Sequence, residues 1–168
     1  MAQSMYALSA PVFVRMLRNL DALLDKAAAY ATARKIEPQV LVDARLFPDM
    51  YPLTPQVQIA CDHAKGAVAR LTGNEPPKYE DNEATLEDLK ARIAKTIAYV
   101  ESVKAEQFDG ADARTVKLKV RGEERSFDGA TYLSRIALPN FFFHVTTAYN
   151  ILRHNGVEIG KRDFIGPL

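Results

Sequence analysis

A single cysteine, Cys61, stands among the 168 residues, so no disulfide can form within the chain. One free thiol fits a reducing compartment. An excess of one charge is missing too. The 22 Lys and Arg residues face 21 Asp and Glu, for a formal charge of +1, without the basic surplus that nucleic-acid binding draws on. No apolar run approaches the roughly 18 residues of a membrane span. Arg15 and Arg18 interrupt the apolar pattern near the start, where a signal peptide keeps an unbroken core. The expected setting is the cytoplasm, with neither nucleic acid nor membrane as partner. Repeats, low-complexity tracts, a glycine-rich phosphate loop and a serine-nucleophile elbow are also absent.

What is present is the balance of an ordinary folded protein, 48% apolar and 26% charged. At this length, 1–168 is expected to form one domain that buries a core without staples. From Ser9 to Arg34, the residues Phe13, Met16, Leu17, Leu20, Leu24 and Ala27 recur at three- and four-residue spacing. This predicts an amphipathic helix capped by Ser9, with Pro11 in its first turn. Val40, Leu41, Ala44 and Leu46 fit a short helix. Prolines then hold Phe47 to Leu53 extended, with Phe47, Met50 and Tyr51 expected to pack on the bundle. Thr54 is expected to cap a second long helix, with Pro55 at its first position, running to Leu71 and stopping at Gly73.

Thr85 and Asp88 have capping-box spacing ahead of the stripe Leu86, Leu89, Ile93, Ile97, Val100, which predicts a third helix. Val116, Leu118 and Val120 alternate with lysines. With a turn over Arg121-Gly122-Glu123-Glu124 and a return over Arg125 to Phe127, they predict a hairpin, expected to lie on the bundle or on a second subunit. A last helix runs from Ala130 to His154, kinked or broken at Pro139. The expected architecture is all-α, an up-down four-helix bundle with a small β-hairpin inserted before the last helix.

Histidine is scarce, with three in the chain. His63 and His144 each lie roughly 90–100° from the centre of their helix's apolar stripe, at the rim where a bundle opens. His154 stands about 15 Å along the helix from His144, too far for both to bond one metal. Positions at helical spacing from either rim histidine hold no good ligand: Thr147, Ala148, Asn140 and Phe141 around one, Ile59, Ala60, Gly66 and Ala67 around the other. Cys61 and His63 are two apart on a helix and face away from each other, so the thiol reads as buried and inert. Phe141, Phe142 and Phe143 cover roughly 200° of circumference, so at least one faces something other than the core.

The stretch Ala44-Arg45-Leu46-Phe47-Pro48-Asp49-Met50-Tyr51-Pro52-Leu53, the following Gln56 to Asp62, and the end Pro139-Asn140-Phe141-Phe142-Phe143-His144-Val145-Thr146-Thr147-Ala148-Tyr149 with Gly160-Lys161-Arg162-Asp163-Phe164 resemble the bacterial domain-of-unknown-function family 1993. That family is placed among the DinB- and YfiT-like proteins. The resemblance implies a four-helix bundle, commonly a homodimer. It also implies, in better-studied relatives, a divalent metal such as zinc, nickel or manganese on three histidines, with thiol-transferase activity in some. His63 matches the second-helix ligand and His144 the first of the last-helix pair, while the third position is Ala148.

Two functions from different classes follow. One is a small-molecule-binding or stress-related module without a complete metal set, its pocket lined by His63, His144, Tyr149, Phe47 and Tyr51. The alternative is a metal-dependent enzyme of the thiol-transferase type using His63 and His144, with Asp62, Asp49 or Asn140 as an outside third ligand. A purely structural dimer is the third reading.

Overall fold

In the computed structural model, which describes residues 3–167, the elements are α1 (Ala10–Arg34), α2 (Pro38–Val42), α3 (Leu53–Leu71), α4 (Leu86–Ser102), β1 (Thr115–Val120), β2 (Glu123–Asp128), α5 (Gly129–Tyr132), α6 (Leu138–His154) and α7 (Lys161–Ile165). A 3₁₀ turn spans Ala105–Phe108, and a π-helical turn, Leu133–Ala137, joins α5 to α6. The bundle is made by α1, α3, α4 and α6. Around its axis α1 is flanked by α4 and α6, and α3 by the same two, so α1 and α3 take opposite corners. The crossover that carries α2 connects those corners. Phe13, Leu17, Leu20, Leu24, Val57, Leu71, Leu89, Ile93, Phe141, Val145 and Leu152 are wholly buried along the axis. The small residues Ala60, Cys61, Ala64 and Ala67 of α3 let its neighbours approach closely.

Helix ends separate local from tertiary control. Thr85 and Asp88 form the expected reciprocal capping box at α4. Ser9 does not cap α1. Its hydroxyl donates 2.6 Å back to the Met5 carbonyl, because a preceding turn has already engaged the chain. Nor does α3 begin at Pro55. It starts at Leu53, whose N–H is held 3.0 Å from the Ala44 carbonyl, while the Thr54 hydroxyl reaches toward Val42 instead of its own helix. The connector is also less covered than expected. Phe47 and Tyr51 are 64% and 62% exposed, and of the three apolar residues there only Met50 is half-buried.

At Pro139 the chain neither breaks nor ends. The proline has no N–H for the carbonyl four residues back, and the helix accommodates this by widening into the π turn just before it. Asn140 donates its side-chain amide 2.7 Å to the Ile136 carbonyl, satisfying an acceptor in that turn. The hairpin forms in the expected place with a tighter turn. Arg121 and Gly122, both with positive φ, are its two loop residues. Val116 is buried, and Leu118 and Phe127 pack onto the core, so the hairpin rests on the bundle.

Candidate functional site

α3 and α6 pack along much of their lengths, and this brings the two rim histidines together across 81 residues of sequence. The rings of His63 and His144 stack with centroids 5.9 Å apart and planes 15° from parallel. Both are half-buried. Phe143, 56% exposed, stands edge-on to His144 at 5.2 Å and gives the mouth an apolar lip.

His144 is held in one tautomer. Buried Gln56 donates its amide 3.0 Å to the Tyr51 carbonyl. Its oxygen therefore accepts, at 2.7 Å, from Nδ1–H of His144. Nε2 of His144 is left unprotonated, as a lone-pair acceptor. Burial holds this imidazole below its ordinary pKa. His63 goes further. Burial, then the neighbouring His144, lower it to about 4, with Arg70 adding to the effect and Asp62 opposing it. At neutral pH the site presents two uncharged imidazoles.

This has a measurable consequence. The unfolded chain binds a proton at His63 near pH 6.5, whereas the folded chain resists until about pH 4, so stability rises with pH through that window. The His63 contribution is fully present above pH 6.5 and lost on acidification, by up to about 3 kcal/mol near pH 4. A His63→Asn variant is expected to show a flatter fall in melting temperature between those pH values than the wild type. Parallel curves would remove the neutral-imidazole description.

The other candidate residues lie elsewhere. Tyr149 is turned roughly 140° around α6 from His144 and packs edge-on against Phe164 of α7, 5.8 Å away. Tyr51 touches the site through its backbone carbonyl, while its ring and that of Phe47 are exposed. His154 ends α6 in an exposed position. Cys61 is fully buried, and burial pushes its thiol up to about 12, far from a thiolate at neutral pH.

A three-ligand metal centre does not fit these residues. Ala148, at the third position, is wholly buried and has no donor atom. Asp62 is engaged by Arg92 and Lys65, both at 2.9 Å. Asn140 is turned back onto Ile136, and Asp49 is exposed in the connector. Among the described residues no group of three or more His, Cys, Asp or Glu side chains is placed to hold a metal ion.

Two features of the site region lie outside the expected residues. Gln56 is one, because nothing local marks a helix-initial glutamine as the partner of a histidine 88 positions away. The other is the ion cluster behind Asp62. Arg92, 3% exposed, is bound by Asp62 (2.9 Å), Asp81 (2.9 Å) and Glu83 (3.0 Å) and donates to the Glu80 carbonyl. Burial raises the Glu83 pKa, but hydrogen bonds from Gln58 and Arg92 outweigh it and keep the carboxylate below its usual range. This cluster pins the loop before α4 against α3.

No curated protein matches the chain significantly. The profile of the family described as Domain of unknown function (DUF1993) matches residues 5–165. A crystal structure of a DinB family member protein from Shewanella denitrificans is 44% identical to this chain and superposes with a TM-score of 0.91. The match covers 98% of this chain and 93% of that one. The chain therefore belongs to the DUF1993 family, and its helical bundle with one small hairpin is DinB-like.

Proposed function

We propose that this protein is a small-molecule-binding module whose site is the His63–His144 mouth, working without a three-ligand metal centre. The observation that carries this reading is the hydrogen bond between Gln56 and His144. A buried amide is committed to holding one imidazole in one tautomer with Nε2 free, and a histidine needed only for packing has no use for that fixation. Neutral His63 beside it adds a second ring able to donate or accept, and Phe143 adds apolar surface at the rim. Such a mouth suits a small ligand whose polar head is read by the imidazoles.

A ligand-observed NMR screen of small polar metabolites tests this, run on the wild type and on His144→Ala. Ligands are expected whose binding is lost in the variant. An identical set of binders for both proteins, or none for the wild type, would end this reading.

The competing reading, a metal-dependent enzyme of the thiol-transferase type, is separated by a thermal experiment on untagged protein. Zinc, nickel or manganese is expected to leave the melting temperature unchanged. A rise by ligand linkage that disappears in the His63→Ala, His144→Ala double variant would restore the metal reading.

A further inference from the structure

Beside the histidine mouth lies a cation whose charge has no answer. Among the described residues Arg70 pairs with no carboxylate, whereas the nearby Lys65 and Arg92 are both tied to Asp62. Its guanidinium donates from Nη1 to the hydroxyl of buried Tyr132, 3.3 Å away, and that is its one hydrogen bond among the described residues. The remaining N–H groups of the fork are left for a ligand.

Arg70 follows His63 by seven residues and so returns to the same face of α3, within roughly 20°. Gly66 lies between them. The arginine folds back along the helix over that glycine, and a Cβ at Gly66 would meet Nη1 at 2.5 Å. The missing side chain thus draws the positive charge to within about one turn, roughly 5 Å along the axis, of His63. The imidazole registers this proximity, since Arg70 is among the groups that disfavour its protonation.

We propose that Arg70 anchors the carboxylate of a small organic acid whose second polar group, an uncharged hydroxyl, is held by His63 and His144. The inference rests on the binding role proposed for that pair. A guanidinium fork matches a planar carboxylate with two parallel N–H donors. Nε2 of His144 accepts the hydroxyl proton in a hydrogen bond. A charge drawn to about one helical turn from His63 suits a short acid whose hydroxyl stands close to its carboxylate. A doubly charged anion fits less well, because its second charge would face rings that stay neutral.

The probe is glycolate, with acetate and ethylene glycol as its two halves, titrated into the ¹⁵N-labelled full chain. The side-chain nitrogens of His63, His144 and Arg70 report binding. Glycolate is expected to shift all three and to bind more tightly than either half. Arg70→Gln is expected to weaken glycolate by about tenfold. Gly66→Ala is expected to weaken it similarly by displacing the guanidinium, while holding or raising the melting temperature, because alanine is the better helix former. If glycolate shifts the histidine rings with unchanged affinity in both variants, or if ethylene glycol binds as well, the carboxylate assignment is overturned and the histidine site stands. If glycolate shifts none of the three, the assignment also falls. The histidine site itself falls only if the metabolite screen finds no ligand lost in His144→Ala.

Discussion

Arg92→Ala should lower the melting temperature by about 6–20 °C. The arginine is buried and holds three carboxylates and a backbone carbonyl. Removing one partner of such a cluster costs about 3–5 kcal/mol, because the charges left behind lose their compensation. In a domain of this size each kcal/mol moves the midpoint by about 2–4 °C. Glu83 suffers most, being nearly buried and left with Gln58 alone. Lysine should rescue little, since one ammonium cannot reproduce a fork that reaches three carboxylates. The Arg18–Glu101 pair is the internal control. At 2.6 Å it is shorter than any contact in the cluster, yet its side chains are 63% and 47% exposed, so Arg18→Ala should change stability by less than about 1 kcal/mol. Thermal melts of the two variants decide the matter. Equal melting temperatures would mean that the cluster is solvated and contributes nothing special.

The second large effect is expected at Gly129, where the chain leaves β2 and enters α5. A Cβ there would overlap the Ala111 carbonyl oxygen, with Leu71 also in close contact. The strand end is fixed from both sides: Ala130 N–H donates 3.0 Å to the Asp112 carbonyl, and Asp128 caps α5 by accepting from the N–H and hydroxyl of Thr131, both at 2.8 Å. The nearest obstacle, the Ala111 carbonyl, is backbone and cannot swing aside as a side chain would. Gly129→Ala should cost about 3 kcal/mol, the upper end of the usual range for overpacking, and loosen the hairpin from the bundle, which hydrogen exchange at Val116 and Leu118 would report. Gly110 offers the contrast. Its φ is +68° and nothing lies within 4 Å of a Cβ, so Gly110→Asn, a residue that tolerates this conformation, should be nearly silent. Similar losses at both positions would show that backbone conformation, not crowding, governs this region.

The sequence is most informative where both partners of an interaction lie within one turn or one hairpin. Thr85 and Asp88 announce their capping box because the spacing is the interaction. Val116 and Leu118 announce their strand because alternation is itself the geometry of a half-buried sheet. The rim placement of His63 and His144 is legible for a similar reason, since helical phase alone sets it.

Ser9 and Tyr149 show where this legibility stops. Ser9 has the chemistry of a cap, but an upstream turn already presents the Met5 carbonyl to its hydroxyl. Tyr149 has the phase of a core residue but packs on Phe164, a partner that tertiary packing alone sets beside it. Gln56 and Arg92 act through partners that tertiary packing alone brings near, so no spacing marks them. Phe47 and Tyr51 mislead in the other direction. Their apolar character suggests burial, and the proline-held connector instead carries both rings outward.

The diagonal placement of α1 and α3 shapes how the protein must be made. As the polypeptide leaves the ribosome, its first two long helices emerge with little native surface for each other. α1 waits for α4, beyond residue 85, while α3 finds α4 next in the chain and meets α6 only beyond residue 137. Of the neighbouring pairs in the bundle, α3 and α4 alone are successive long helices; the others join distant stretches, which slows folding relative to bundles built from successive hairpins. Nascent chains that stall before the last helix leave uncovered the face of α3 that α6 will occupy, and such chains are the ones that chaperones should meet.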